Sequence, residues 1–358
     1  MAKFSEGMNY APKGKPNPVV AKGEFKFAAV ALDHGHINGM CNGLIEAGAE
    51  IKYVYDRDPA KMDAFAKSFP GVIKARCEDE VLADPEVKLI AGAAVPNVRC
   101  ALGLRAMSAG KDYFTDKTPL TSLDQLAAAK AKTAETGRKY MVYYSERLHS
   151  EGAIYAGQLI KEGAIGKVVQ VLGLGPHRLG APARPGWFFV KEQYGGILCD
   201  IGSHQIEQFL FYAGVEDARV VSSQVGNFNN PEYPEHEDFG DATLVADNGA
   251  TNYFRVDWFT PDGLSNWGDG RTFILGTEGF IEQRKIMNIG AGDGGDHIYL
   301  ANQREETHYK VTGQVGHPFF GQLILDCINR TENAMTQAHA FKAAELCVRA
   351  QMQAIKIK

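Results

Sequence analysis

The chain has 358 residues, 45% of them apolar and 23% charged, and a net charge of −5. That length exceeds one ordinary domain and predicts two, while the mild acidity and the lack of a long Lys/Arg run argue against nucleic acid or an anionic membrane and leave a small molecule as partner. The sequence shows no twenty-residue apolar span and no apolar signal-like centre in residues 1–24, so a cytoplasmic protein is expected, and its six scattered cysteines, without a C-x-x-C pair, read as reduced thiols.

Residues 1–24 are rich in Lys, Gly, Pro and Asn and read as an arm without regular structure, loose or docked on a neighbouring subunit. From Phe25 the texture alternates. Strand-like runs at 27–32, 51–55, 87–94, 112–115 and 139–144 are separated by helix-like segments at 36–47, 59–68, 98–109 and 122–136. Such β-α-β-α order predicts a Rossmann-type domain over 25–146, a parallel doubly wound sheet whose ligand lies at the carboxyl ends of its strands.

After Arg147 a helix at 153–162, a strand at 167–174, a Pro/Gly/Arg-rich loop at 175–186 and a helix over 204–212 precede six strand candidates between 218 and 301. In Thr251–Phe259, Phe254, Val256 and Trp258 alternate with Tyr253, Arg255 and Asp257, the pattern of a sheet with unlike faces. Residues 147–358 therefore read as a second, α+β domain with a large, mostly antiparallel open sheet, closed by helices at about 318–330 and 338–355. Substrate binding and oligomerisation are assigned to it.

The first strand and helix meet in Asp33-His34-Gly35-His36-Ile37, the place of a dinucleotide's pyrophosphate. Ala31, Asp33 and His36 stand where G-x-G-x-x-G would put glycines. A carboxylate aimed at phosphate is repelled, so Asp33 is expected to face away or cap the helix while N–H groups of Gly35 to Ile37, with His36, meet the phosphates. Asp56 ends the second strand, where an acidic group bonds ribose hydroxyls; this favours NAD, and the neighbouring Arg57 keeps NADP as the alternative.

Asp116-Lys117 ends a strand, and an ammonium at that edge can stabilise a developing alkoxide. Asp200 and His204, four apart, share a helix face, where an imidazole can take a hydroxyl proton and a carboxylate can orient it. An ordinary ion pair at a helix start would have the same spacing.

Several segments together resemble the Gfo/Idh/MocA family, the glucose-fructose oxidoreductase and inositol dehydrogenase group. Asp116-Lys117-Thr118-Pro119 is similar to its Glu-Lys-Pro signature with one residue inserted. Gly195, Gly196, Asp200 and His204 match its Gly-Gly-x-x-x-Asp-x-x-x-His signature, Val95-Pro96-Asn97 its Thr-Pro-Asn segment, and Gly276-Thr277-Glu278-Gly279 its Gly-Thr-Glu-Gly turn. The resemblance implies catalysis by Lys117, Asp200 and His204 on a ring carbinol of a sugar or cyclitol, cofactor contacts that include Val95, Pro96, Asn97 and Asp116, and a homodimer or homotetramer formed through the second sheet. Arg147, His149, His177, Arg184 and Trp187 are the further candidates for binding substrate.

Three other readings stay open. His34-x-His36 at a strand end suggests a metal-dependent hydrolase, although later ligands are not evident and the expected site holds no metal. A non-catalytic dinucleotide sensor would carry a damaged Lys/Asp/His set. A glycosidase acting by transient sugar oxidation and elimination would use the same residues as a dehydrogenase.

Overall fold

The computed structural model describes residues 7–292 and 294–358. Elements in chain order are β1 (Lys26–Val30), α1 (His36–Glu46), β2 (Glu50–Tyr55), α2 (Pro59–Ser68), β3 (Ile73–Lys74), α3 (Glu78–Ala83), β4 (Val87–Gly92), α4 (Pro96–Ser108), β5 (Asp112–Asp116), α5 (Leu123–Thr136) and β6 (Tyr140–Tyr143). There follow α6 (Ser145–Leu148), α7 (Glu151–Lys161), β7 (Val168–Pro176), α8 (Lys191–Tyr194), α9 (Ile197–Asp200), α10 (Gly202–Ala213), β8 (Ala218–Gly226), β9 (Phe239–Ala246) and β10 (Thr251–Asp257). The last group is β11 (Arg271–Gly276), β12 (Gly279–Arg284), β13 (His297–Asn302), β14 (Glu306–Lys310), α11 (Pro318–Asn329), α12 (Gln337–Gln353) and β15 (Ile355–Lys356).

Two compact units result: residues 8–143 with 317–341, and residue 7 with 144–316 and 342–358. The first holds a six-stranded parallel sheet in the order β3-β2-β1-β4-β5-β6. Its central strands are apolar on both faces, as helices on both sides require, with Phe27, Ala28, Ala29, Leu89, Ile90 and Phe114 buried. Strand order reverses between β1 and β4, the switch point at which such sheets bind ligands. The short β3 and α3 were not read from the sequence.

Two segments join this unit against expectation. Helix α11, expected in the second domain, lays Phe319 and Phe320 against Phe114, with Phe320 also 6.1 Å from the Tyr143 ring. The N-terminal stretch has no strand or α-helix among its described residues, as expected, yet it is anchored to its own chain. Asn17 and Val19 donate to the carbonyls of Glu46 and Ala47, Gly14 N–H donates to Glu46 Oε1 at 2.8 Å, and Asn42 reaches the carbonyls of Ala11 and Pro12. At Gly35 a Cβ would fall 2.6 Å from Met8 O and 2.5 Å from Asn9 Oδ1, so only glycine admits this stretch against the start of α1.

The second unit holds a nine-stranded mixed sheet, β14-β13-β12-β11-β7-β10-β9-β8-β15, antiparallel except for β7/β10 and β8/β15. Helix α10 packs on one face over β7, β9 and β10, burying Phe254, Val171, Ala242 and Leu244. The opposite face shows Tyr253, Leu275 and Phe280 to solvent. Strand β14 escaped the sequence reading because its residues Glu306–Lys310 are those of a polar edge. Among the described residues no helix is long and apolar enough to cross a membrane.

Candidate functional site

In the parallel-sheet unit the turn after β1 departs from the glycine fingerprint and compensates locally. Ala31 adopts φ +61°, a left-handed conformation that costs an alanine about 1 kcal/mol, and its N–H is held by Tyr55 O. Asp33 does cap a helix, although the capped helix is α4 and not α1: its Oδ2 accepts the N–H of Val95, the residue before α4, while Oδ1 pairs with Lys61. Of the amides expected to meet phosphates, His36 N–H goes to His34 Nδ1 and Ile37 N–H to His34 O, and the Ile37 side chain is buried in the core.

Asp56 ends β2 as expected and is nearly buried. Its Oδ2 accepts Leu32 N–H at 2.7 Å and Oδ1 accepts Asp58 N–H at 2.9 Å, so the carboxylate stitches β2 to the turn. A carboxylate has lone pairs for two further donors, which a ribose supplies. Beside it lies a cleft of ≈ 540 Å³ lined by Ala31, Asp33, Asp56, Arg57, Lys61 and Arg105 among others. The donor set therefore fits the adenosine end of a dinucleotide, with Arg57 and Lys61 available to its phosphates. At the turn itself the fit rests on fewer free amides than the glycine fingerprint offers.

At the end of β5 the network is denser. Asp116, fully buried, accepts from His36 Nδ1 at 2.9 Å and Arg99 Nη2 at 3.1 Å, and its Oδ2 lies 3.4 Å from His34 Nδ1. Burial opposes its ionisation, but the charges of His36 and Arg99 outweigh that and hold the carboxyl well below the usual range. Burial, followed by the charge of His36, pushes His34 well below the ordinary imidazole value. Arg99, with no exposure, also donates to the carbonyls of Ala94, Lys117 and Thr118, so one guanidinium fixes the backbone on both sides of Lys117. The Lys117–Thr118 peptide is cis, at the residue inserted in the signature. Pro96 opens α4, and Asn97 O accepts from Gln125 at 2.8 Å.

In the second unit Gly195 and Gly196 both have φ near +90°, and a Cβ on Gly196 would fall 2.2 Å from Gln351. These glycines turn the chain from α8 into α9, whose first N–H is capped by Glu237 at 2.9 Å. Helices α9 and α10 follow with only Ile201 between them, which sets Asp200 and His204 one turn apart, starting earlier than the 204–212 helix expected. Asp200 lies beside His236, whose burial lowers its pKa to about 4 against the raising charges of Asp238 and Asp200. Phe188 and Trp258 complete this wall.

A buried carboxylate that the sequence reading missed lies near His204 in the same unit. Glu146 Oε2 takes Lys285 Nζ at 2.6 Å and Gln205 at 3.3 Å, and Oε1 is 3.8 Å from His177 Nε2. Burial works against its charge, but Lys285, His204 and His177 hold the carboxyl well below its usual range. Glu146 and Lys285 are 139 residues apart, and no local pattern marks them.

The remaining candidates divide by what holds them. His177 stacks on Trp267 at 4.5 Å and faces Glu146, and half-buried Trp187 lies edge-on to Phe188. Arg147 is engaged by Glu207 at 2.7 and 2.9 Å and lies over Phe211. Arg184 likewise donates to the carbonyls of Leu179 and Arg178 and stacks on Phe188 and Trp258, so it fastens its own loop. His149 is buried in the fold.

A Rossmann-type parallel sheet in one unit and a large mixed sheet in the other, with a lysine at a strand end of the first and an Asp/His pair on a helix of the second, define the class of two-domain oxidoreductases with a dinucleotide fold. The GFO/IDH/MocA C-terminal domain model matches residues 154–282. The crystal structure of a putative oxidoreductase from Erwinia carotovora atroseptica is 51% identical, with a TM-score of 0.91 over 93% of this chain and 100% of that one. The scyllo-inositol 2-dehydrogenase (NAD(+)) of Bacillus subtilis is 28% identical over 204 residues, 56% of each chain. The D-xylose dehydrogenase of Paenarthrobacter nicotinovorans is 28% identical over 168 residues, 45% of this chain and 43% of its own. The chain thus spans about half the length of the curated relatives it matches, and it belongs to the Gfo/Idh/MocA family.

Proposed function

We propose that this protein is an NAD-dependent oxidoreductase that moves a hydride between the nicotinamide and a carbinol carbon of a sugar, glycoside or cyclitol. The observation that supports the reading is the presence of Lys117 directly after β5, of Asp200 at the end of α9 and of His204 in the first turn of α10. The curated relatives named as inositol and xylose dehydrogenases support the substrate class. Asp56 at the cleft supports NAD over NADP, since its carboxylate repels a 2′-phosphate.

When bound, the cofactor supplies the hydride acceptor. Lys117, nearly buried behind Arg99, presents an ammonium that stabilises negative charge on the reacting oxygen. His204 takes the hydroxyl proton, and Asp200 orients substrate and imidazole. The exposed sheet face with Leu275 and Phe280 serves homo-oligomerisation, which light scattering on the purified chain tests.

An NAD-reduction screen over monosaccharides, glycosides and cyclitols tests the activity. Lys117→Ala and His204→Ala should each lower kcat by about 10²- to 10⁴-fold while NAD affinity changes only a few-fold. Unchanged turnover in either variant removes the assignment; release of aglycone without net NADH assigns the same residues to oxidation and elimination instead.

A further inference from the structure

Asp33 puts a carboxylate where the glycine fingerprint brings bare backbone against a pyrophosphate, and its bonds show why an acceptor is kept there. Its Oδ2 accepts Val95 N–H at 3.3 Å, which ties the turn after β1 to the segment before α4 across the sheet's switch point. An amide oxygen would accept that N–H equally well, so this contact does not use the charge of Asp33. The charge is a liability instead. Asp33 lines the cleft beside Asp56, and an uncompensated carboxylate on that wall repels a diphosphate.

Lys61 supplies the compensation. Its Nζ lies 2.5 Å from Asp33 Oδ1 and 3.9 Å from Asp56 Oδ2, and its side chain lines the same cleft. It is the third residue of α2, whose first turn holds no acidic side chain, and a cation at a helix N-terminus opposes the helix dipole. The helix by itself therefore gives no reason for a lysine at this place; the two carboxylates do. Burial works against the ammonium, but Asp33, Asp56 and Asp58 hold its pKa above the ordinary lysine value, so it is charged at neutral pH.

The charges around the cleft give that ammonium its weight. Arg105 is taken up by Glu78 at 2.6 and 3.0 Å, and the other charged lining consists of three carboxylates, Asp33, Asp56 and Asp58, against Arg57 and Lys61. Without Lys61 the three carboxylates would face Arg57 alone. An ammonium has three protons, so the one given to Asp33 leaves others for an anion in the cleft. We propose that Lys61 is a cofactor-positioning residue, which neutralises Asp33 and thereby admits the diphosphate of a dinucleotide to a turn without the usual glycines. The inference rests on the reading of this cleft as a dinucleotide site.

The full chain is titrated with ADP by calorimetry and with NADH by fluorescence. Lys61→Met should weaken both about tenfold or more, while Lys61→Arg, which keeps the charge, should stay within about threefold. Asp33→Asn keeps an acceptor for Val95 and removes the charge, so it should tighten both by about threefold, and combined with Lys61→Met it should return both to within about threefold of the unaltered chain. An ion pair that merely holds the turn in shape predicts the opposite for Asp33→Asn, a loss of binding. Unchanged binding in Lys61→Met, failure of Asp33→Asn to tighten binding, or no recovery in the double variant overturns the inference, and Asp33→Asn decides it alone if Lys61→Met does not fold. An unaltered chain that binds ADP in this Lys61-dependent way and not NADH refutes the oxidoreductase reading alone. One that binds NADH without regard to Lys61 refutes this inference alone, and one that binds neither refutes both.

Discussion

Each unit buries one carboxylate facing two histidines and one cation, and the two clusters are assembled by different means. Asp116 meets His34, His36 and Arg99, from the turn after β1 and the first turns of α1 and α4, at the carboxyl edge of a single parallel sheet. Glu146, in α6, meets His177, His204 and Lys285, which come from just after β7, from helix α10 and from just after β12. In the first the cation is a planar guanidinium that also binds three backbone carbonyls; in the second it is a point charge with one carboxylate and one amide partner. Arginine there sets the path of the main chain around Lys117, whereas lysine here neutralises Glu146 and touches no backbone carbonyl among its described partners.

That difference breaks most sharply at Arg99. Arg99→Met should cost about 4 to 5 kcal/mol in urea unfolding, because it strands a buried carboxylate and leaves the carbonyls of Ala94, Lys117 and Thr118 without their donor. Arg99→Lys should recover less than half, since an ammonium cannot span the same acceptors. A loss near 1 kcal/mol would show that the Lys117 backbone does not depend on the guanidinium. Lys285→Met should cost about 3 to 4 kcal/mol, and here adding Glu146→Gln should restore most of it, because the removed charge was that of the pair. Failure of the double variant to recover would mean that Lys285 also holds backbone, and the contrast between the clusters would fall.

The same contrast decides what was legible from the chain. Asp116-Lys117 and Gly195-Gly196-x-x-x-Asp200-x-x-x-His204 are local: a strand end, a glycine turn and one helical turn fix the geometry, and the parallel sheet followed by a mixed one emerges from hydrophobic period. Glu146 and Lys285 meet through two strands and a helix, so neither spacing nor composition announces them. The anchoring of residues 8–20 on α1 was equally hidden, since it uses backbone groups that leave no side-chain pattern beyond Gly35. Helix α11 was legible as a helix, but its home was not, because Phe319 and Phe320 suit any core. Asp33 was legible as an anomaly; that it caps α4 depends on Val95, 62 residues away.

A histidine outside both clusters sharpens the comparison through pH. His236 has a carboxylate neighbour in Asp200 but no cation-braced pair, and burial depresses its folded pKa to about 4. Its neutral form is the one the fold accepts, so stability is intact above an unfolded value of about 6.5 and is lost as pH falls from 6.5 to 4, where the unfolded chain takes up a proton first. The loss is about 3 kcal/mol at most, measured as the fall in unfolding free energy over that interval. His236→Gln should flatten this part of the profile. An unchanged profile would place the acid sensitivity in another group such as His34, an imidazole that burial also depresses.

The smallest effect lies in the N-terminal stretch and gives both clusters a reference. Glu46 is half-buried, and its Oε1 accepts Gly14 N–H while its main-chain oxygen accepts Asn17 N–H. Glu46→Ala removes the first bond and leaves the second, so it should cost about 1 kcal/mol, near the ordinary worth of one hydrogen bond with a solvated alternative. The local consequence exceeds the global one. Residues 8–16 would be held chiefly by the Asn42 contacts and by the packing of Met8 and Asn9 on Gly35, and trypsin should cut the Lys13–Gly14 bond well before the sheet unfolds. Cleavage no faster than in the unaltered chain would mean that the Gly35 contact alone secures the stretch, and a side chain placed there, as in Gly35→Ala, would then release it.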